Sequence, residues 1–222
     1  MSRIVLLRHA HSSANLKNVL AGRSPGVLLS SKGEEQARIL VERIGPVHFD
    51  AVVLSPIQRC LDTLTPWLES HGRGVTPVLD EGLSEVDYGD WTGKSLNLLR
   101  RKKLWNVVQN HPSQMVFPQG ESLLAMQARA VASFYDVDSR KGKNPRLIVS
   151  HGDVIKSIVA HVLGMHLDQF QKLVVEPASM TIIETENGIS RLITFNDQKS
   201  SIGKNQSPGS LALGGSTGNQ EA

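Results

Sequence analysis

Three short apolar runs without a polar residue constrain the fold of this chain most strongly. They occupy residues 4–7, 51–54 and 147–149 and read IVLL, AVVL and LIV. None shows the alternation of apolar and polar residues of a half-exposed strand, and this is typical of strands buried on both faces of a parallel sheet. Two later runs, 180–184 and 190–194, are also predicted to be strands.

Helical patterns lie between these strands. Ser31 to Glu34 reads as a capping box, and apolar residues follow at helical spacing. Ser55 and Pro56 are predicted to be the N-cap and first residue of a second helix, which Pro66 should kink or end.

Two further helices are predicted at 121–136 and 154–162, the latter ended by Gly164. Strands that alternate with helices indicate an α/β protein. We expect a three-layer α/β/α sandwich around a mostly parallel sheet.

The chain is predicted to form one domain at residues 1–197. Residues 198–222 are rich in Gly, Ser, Asn and Gln and are predicted to be a flexible tail. Residues 89–118 break the alternation of strands and helices, so we interpret them as a lid-like excursion above the sheet. Its basic run, residues 100–103, is interpreted as a solvated helix face.

The bulk properties limit the classes of partner. A net charge of +3 suits an anionic substrate but is too small to argue for nucleic acid. No apolar stretch approaches the roughly 18 residues of a membrane span. The single cysteine, Cys60, excludes an intramolecular disulfide and agrees with a cytoplasmic location.

Charged side chains follow the ends of the three buried runs. Arg8 and His9 follow the first run, Arg59 lies just beyond the second, and His151 and Gly152 follow the third. Ligands of parallel sheets bind at the carboxyl ends of the strands, so these side chains should meet. Two arginines and two histidines would repel one another without an anion, and a phosphate fits the forked guanidinium group.

This arrangement predicts nucleophilic chemistry on a phosphoryl group. Nearby cations would keep the His9 ring neutral and able to attack phosphorus. Arg8, Arg59 and His151 would stabilise the charge on the transferred group. A carboxyl group must protonate the leaving oxygen; Glu85 is preferred for this role, and Asp87 is its rival.

Six sequence blocks in order resemble the histidine phosphatase superfamily, which includes the phosphoglycerate mutases. The resemblance covers about 190 residues, and the whole pattern looks closest to actinobacterial phosphomutase-like members. The blocks are residues 7–15 (LRHAHSSAN), 22–37, 55–60 (SPIQRC), 85–93, 118–122 (PQGES) and 150–153 (SHGD).

The resemblance implies a phosphoglycerate mutase-like fold and a role for each matching residue. His9 would carry the phosphoryl group and Glu85 would be the acid and base. No metal or cofactor is implied, and the substrate would be a phosphorylated small molecule. The implied phosphate-binding residues are Arg8, Ser12, Asn15, Arg59, His151 and Gly152.

Two residues depart from the family pattern. Ala10 replaces the usual glycine after the nucleophile, and a small side chain should be accepted there. His11 stands where glutamate or glutamine is common; it is either a pH-sensitive contact at the pocket rim or a surface histidine.

Three functions stay open at this point. The first is a phosphatase that hydrolyses phosphomonoesters, which the compactness of the folded part favours. The second is a phosphomutase, and the third is a non-catalytic module that binds a phosphorylated ligand. A monomer and a homodimer are both compatible with the sequence.

Overall fold

The computed structural model describes residues 1–202, which form a six-stranded sheet with helices on both faces. The strand order is β3-β2-β4-β1-β5-β6. The first four strands are mutually parallel, while β5 is antiparallel to both β1 and β6. The strands are β1 (Ser2–Arg8), β2 (Ala51–Leu54), β3 (Val78–Leu79), β4 (Arg146–Ser150), β5 (Met180–Glu186) and β6 (Ile189–Asp197).

Seven α-helices and four 3₁₀ turns connect the strands within the described residues. None of these helices has both the length and the apolar character needed to cross a bilayer. The helices are α1 (Ser13–Leu16), α2 (Ser31–Ile44), α3 (Gln58–Ser70), α4 (Leu96–Leu99), α5 (Lys103–Asn110), α6 (Leu123–Ser139) and α7 (Gly152–Val162). The 3₁₀ turns are Glu81–Leu83, Gly89–Trp91, Pro112–Gln114 and Leu167–Lys172.

The sheet separates two hydrophobic cores. Successive side chains of a strand point to opposite faces, so Ile4 and Leu6 pack with α6 and α7 while Val5 and Leu7 pack with α2 and α3. Both faces are therefore apolar, which explains the uninterrupted apolar run at 4–7. The predicted three-layer sandwich with a mostly parallel sheet is confirmed.

Two helices begin differently from the prediction. The N-cap of α2 is Ser30, not Ser31, and its hydroxyl accepts the Gly33 N–H at 3.2 Å. The N-cap of α3 is Ile57, without a side-chain cap. The Ser55 hydroxyl bonds to the ring of His151 at 2.8 Å and also accepts the Ile57 N–H at 3.3 Å.

The prediction that Pro66 kinks or ends its helix is wrong in placing a helix end there. Pro66 lies inside α3, which continues to Ser70. A proline removes one backbone hydrogen bond. Leu64 and Trp67, at most 1% exposed, anchor the helix to the core on both sides of Pro66 and offset that loss.

The segment 89–118 is a packed helical layer on the core shared with α6 and α7. Its basic run at 100–103 is exposed, but it connects α4 to the first residue of α5 and does not form the helix face interpreted from the sequence. Backbone hydrogen bonds from Leu20 to Lys94 and from Leu96 to Asn18 tie the segment to the loop after α1. Its lid-like motion stays a prediction. Its buried apolar residues are Trp91, Leu99, Val108, Met115 and Phe117.

Residues 198–202, assigned to the flexible tail by the sequence, pack against the folded domain. Arg43 of α2 donates to the carbonyls of Asp197 and Ser200, and Ile202 is buried in the α2/α3 core. These contacts are non-local, so composition did not indicate them. The rest of the predicted tail, 203–222, lies outside the described residues.

Candidate active site

The site forms where three parallel strands end. Strands β1 and β4 are neighbours, and the His9 N–H donates to the Ser150 carbonyl at 2.9 Å. The His9 and His151 rings follow these two strands with centroids 5.1 Å apart. Arg59, in the first turn of α3, comes from the end of β2 on the other side of β4. Topology alone thus brings residues 50 to 150 positions apart into one cluster.

The His9 ring is neutral and has a defined tautomer. Its Nδ1 donates to the Ala10 carbonyl at 2.7 Å, because a carbonyl can only accept. Its Nε2 therefore carries a lone pair, which accepts the Arg59 Nε–H at 3.2 Å. Burial, followed by the charges of Arg59 and Arg8, holds the pKa of His9 well below its ordinary value of 6.5. The ring is thus suited to nucleophilic attack, as the sequence indicated.

Ala10 and Gly152 show how tightly the backbone surrounds the two histidines. Ala10 is fully buried, and its N–H donates to Thr63 Oγ1 at 2.8 Å, so the small side chain is accepted. Gly152 is the first residue of α7. A Cβ there would lie 3.3 Å from Arg8 Nε, so a larger residue would crowd the guanidinium group.

His151 lies behind Arg59 and not at the pocket surface. It is fully buried, its Nδ1 accepts from Arg59 Nη2 at 3.0 Å, and its Nε2 lies 2.8 Å from Ser55 Oγ. Burial and the Arg59 charge hold the pKa of His151 well below its ordinary value. In this arrangement the ring orients Arg59.

At the site, two buried guanidinium N–H groups have no hydrogen-bond partner within residues 1–202. They are Arg8 Nε and Arg59 Nη1. Other nitrogens of these side chains are bonded: Arg8 Nη1 donates to the Val175 carbonyl and Arg59 Nη2 to the Gly22 carbonyl. A buried unsatisfied donor is costly, typically about 1–3 kcal/mol and more when charged. An anion that accepts both N–H groups would remove that cost.

These groups open into a pocket of about 350 Å³. It is near the small end of the range for ligand sites, so it suits a small molecule. His151 is the one predicted site residue that does not line it. The predicted site residues that do are Arg8, His9, Ser12, Asn15, Arg59, Glu85 and Gly152.

Glu85 faces this pocket and is poised to hold or release a proton. Burial first, and the negative charge of Asp153 second, raise its pKa from 4.5 to about 7. Its rival, Asp87, is not among the lining residues; one of its oxygens accepts the Gly89 N–H at 3.0 Å. Geometry therefore favours Glu85.

Ser12 and Asn15 shape the loop after His9. Ser12 caps α1, and Asn15 Oδ1 accepts from both the backbone N–H and the hydroxyl of Ser12, each at 2.9 Å. The Asn15 side-chain NH₂ group is the part left to donate to a ligand. His11 lies outside the pocket, in an adjoining cavity that shares Arg8 and Asn15, and its Nδ1 contacts Ser30 Oγ at 2.8 Å.

Sequence analysis missed a charged cluster at the pocket wall. The Tyr88 hydroxyl donates to Asp153 Oδ2 at 2.7 Å, and Lys156 forms an ion pair with Asp153 Oδ1 at 2.8 Å. Burial opposes ionisation of Asp153, but Lys156 and Tyr88 outweigh it and lower its pKa. Tyr88 and Asp153 lay inside the quoted blocks, and the spacing of Lys156 three residues after Asp153 on a helix was an available signal.

Sequence analysis also missed the residue that anchors the Glu85 loop. Arg129 of α6 donates to the carbonyls of Gly82, Ser84 and Glu85, and it forms a two-point ion pair with Glu121. No sequence signal marked Arg129 as the anchor, because the three carbonyls that it binds lie 44 to 47 positions away.

Cys60 packs in the core, and the described residues contain no cluster of metal ligands. Cys60 is buried in the α2/α3 core, as predicted, and burial raises its pKa to about 12. Within residues 1–202, no group of three or more His, Cys, Asp or Glu side chains is arranged to hold a metal ion.

Known proteins share this sequence pattern and fold. The chain matches the family described as "Histidine phosphatase superfamily (branch 1)" over residues 4–198. It is 32% identical over 205 residues to a Schizosaccharomyces pombe protein named "Probable phosphatase C1687.21", covering 88% of this chain and 93% of that one. It is 27% identical over 203 residues to a 2,3-bisphosphoglycerate-dependent phosphoglycerate mutase of Cytophaga hutchinsonii, covering 89% and 90%.

A solved structure agrees with the sequence relatives. Bacillus stearothermophilus YhfR superposes with a TM-score of 0.82 at 26% identity, and the match covers 89% of this chain and 98% of that one. The family match spans nearly the whole described chain, including the strand ends that carry both histidines. The chain therefore belongs to the histidine phosphatase superfamily, branch 1.

Proposed function

We propose that this protein is a phosphatase that hydrolyses phosphomonoesters of small metabolites through a phosphohistidine at His9. One observation carries the proposal: His9 lines one pocket with Arg8 and Arg59, each of which has a buried N–H without a partner among the described residues. A phosphoryl group supplies both what the His9 lone pair can attack and what the two N–H groups require.

In the first step, the Arg59 Nε–H turns from His9 Nε2 to a phosphoryl oxygen, the freed lone pair attacks phosphorus, and the bond to the ester oxygen breaks. Arg8 and Arg59 bind the equatorial oxygens, whose charge grows in the transition state. The leaving oxygen takes its proton from Glu85, whose pKa of about 7 leaves part of the population protonated at neutral pH.

In the second step, water displaces the phosphoryl group from His9. Glu85, now a carboxylate, takes a proton from the attacking water, and inorganic phosphate leaves. Asn15, Ser12 and the Gly152 backbone are the proposed further contacts of the phosphoryl oxygens.

The proposed role of His151 needs a rearrangement. Its Nδ1 accepts from Arg59, so it can bind a phosphoryl oxygen only if it gains a proton and Arg59 turns toward the anion. We propose that bound phosphate provides the negative charge that stabilises this protonated ring. Without that step, His151 acts on the phosphoryl group through Arg59.

A phosphomutase shares the first step and differs in the acceptor of the phosphoryl group. Relatives named as phosphatases and as phosphoglycerate mutases both match this chain. Hydrolysis is preferred because the 89–118 excursion is packed on the core of the described chain and borders the pocket only through Leu96. Product rearrangement in the presence of an acceptor alcohol would reverse this preference.

Substitution of the nucleophile tests the proposal. His9→Ala should lower turnover of phenyl phosphate by more than about 10³-fold, while inorganic phosphate still binds to the two arginines. Wild type, but not His9→Ala, should form an acid-labile, alkali-stable phosphoenzyme. His48→Ala, at an exposed histidine, is the matched control. Wild-type turnover by His9→Ala would refute the nucleophile.

We also propose a cytoplasmic location, which the single, buried cysteine supports. Monomer and homodimer remain alternatives for the assembly, and sedimentation velocity would distinguish them.

A further inference from the structure

The outer part of the pocket has an apolar wall. It comes from three separate segments: the loop after α1, the start of α4 and the loop before β5. The lining residues on this wall are Val19, Leu20, Leu96, Leu173 and Val174.

Backbone hydrogen bonds hold two of these segments together. The N–H groups of Leu20 and Leu96 donate to the carbonyls of Lys94 and Asn18, each at 3.0 Å. Val19 and Ser95 form an isolated antiparallel bridge. The third segment is attached to the phosphate end of the site, because Arg8 donates to the Val175 carbonyl. The wall is therefore fixed relative to the phosphorus position.

The charges of the pocket are divided between its two ends. Arg8 and Arg59 serve the phosphoryl group, and Lys156 is the remaining cation among the lining residues. Lys156 is already engaged: it lies 2.8 Å from Asp153, donates to Gln171 at 2.8 Å and sits 4.4 Å from the centre of the Phe170 ring.

Lys156 already neutralises Asp153, so the lining residues offer no further cation for a second anionic group at this end. Asp153 and Glu176 both line the pocket, and Glu176 is exposed at its rim. A second anionic group on a bound substrate would meet these carboxylates and the apolar wall. Burying a charge without a partner is strongly unfavourable.

We propose that the preferred substrates are phosphomonoesters whose leaving group is uncharged and has an apolar face, such as an aromatic or branched aliphatic alcohol. The phosphoryl group binds the arginines, and the alcohol packs on the wall formed by Val19, Leu20, Leu96, Leu173 and Val174. This inference rests on the proposed phosphatase function. It also disfavours bisphosphates and phosphorylated carboxylic acids as substrates.

A matched pair of esters tests the proposal. Phenyl phosphate and 4-carboxyphenyl phosphate differ by one carboxylate, and kcat/KM should be about tenfold or more higher for phenyl phosphate. Equal values, or a preference for the carboxylated ester, would overturn the inference. If a preference for the carboxylated ester disappears in Lys32→Ala, the carboxylate of that ester binds in the adjoining cavity, which Lys32 lines.

A substitution on the wall tests its location. Val174 is 56% exposed, so Val174→Lys should fold and offer a cation to the carboxylate. The preference for phenyl phosphate should fall at least about threefold. Val116→Lys, at a valine that is 61% exposed and outside the pocket, has the same charge change and should keep the wild-type ratio. Equal ratios in the two variants would contradict the assigned wall.

Binding measurements test this inference independently of the proposed phosphatase function. Benzylphosphonate and its 4-carboxy derivative contain a carbon–phosphorus bond that the proposed mechanism does not break, so calorimetry reports affinity alone. Tighter binding of the compound without the carboxylate supports the inference even if no ester is hydrolysed. An absence of ester hydrolysis would refute only the phosphatase function. Turnover without this difference in affinity would overturn the inference and leave the phosphatase intact.

Discussion

The proton on Glu85 gives a pH dependence that one substitution should move. At a pKa of about 7, half of the Glu85 population is protonated at pH 7; at the ordinary value of 4.5 only roughly 0.3% would be. The environment thus supplies a factor of about 150 in the fraction of enzyme able to protonate a leaving oxygen. For phenyl phosphate, kcat/KM should fall about tenfold per pH unit above about 7.

Asp153→Asn should move this decline to lower pH. Removing the Asp153 charge favours the Glu85 carboxylate, so the pKa of Glu85 falls. Burial, the larger cause, remains, so we expect a decrease of about one pH unit and not a return to 4.5. At pH 7 the protonated fraction would drop from half to about a tenth, and kcat/KM would drop about fivefold. Asparagine keeps an oxygen for the Tyr88 hydroxyl, which limits structural change.

The assay is kcat/KM for phenyl phosphate from pH 5.5 to 9 in wild type and variants. The second pKa of a phosphomonoester lies near 6, so the acid side reports the substrate while the alkaline side reports the enzyme. Asp90→Asn, at an exposed carboxylate, should keep the wild-type profile. Nitrophenyl phosphate, whose leaving group departs as an anion, should show a shallower decline.

Two results would refute the reasoning. The first is an alkaline decline that stays in place or moves to higher pH in Asp153→Asn. The second is an alkaline decline of kcat/KM in Glu85→Gln that matches the wild type, because glutamine has no proton to lose. Asp87→Asn would then be the variant to examine.

Three further predictions concern stability and reactivity. Arg129→Met should lower the free energy of unfolding by about 2 kcal/mol or more, and lower kcat, because the Glu85 loop loses its anchor; urea unfolding checks this, with exposed Arg101→Met as the control. Gly33→Ala should destabilise by about 2 kcal/mol despite the higher helix propensity of alanine, because the new Cβ would lie 1.9 Å from the His11 carbonyl oxygen; a thermal melt that rises would contradict this. Cys60 should react with a thiol reagent only after unfolding, since it is buried and its pKa is about 12; rapid labelling of the native protein would disprove this.

The sequence predicted the layers of the fold because burial on two faces leaves a pattern that is local. A run such as 4–7 has no polar residue, since each side chain enters one of two apolar cores. Local rules were less reliable where tertiary contacts compete. Ser55 was expected to be the N-cap, but that position is Ile57 and the Ser55 hydroxyl bonds to His151. Pro66 was expected to kink or end its helix, but α3 continues past it, held by Leu64 and Trp67.

The sequence by itself determined which chemical groups the site would hold, because Arg8, His9, Arg59 and His151 each lie at or just beyond a strand end that the sheet topology fixes. Only the tertiary structure decided how those groups are used. It placed His151 behind Arg59 and left one N–H of Arg8 and one of Arg59 without partners among residues 1–202. It also buried Glu85 and brought Asp153 near it, and both raise the pKa of Glu85. Spacing along a chain gives the order of side chains, whereas hydrogen bonding and electrostatics depend on distances and burial that form when distant segments pack together.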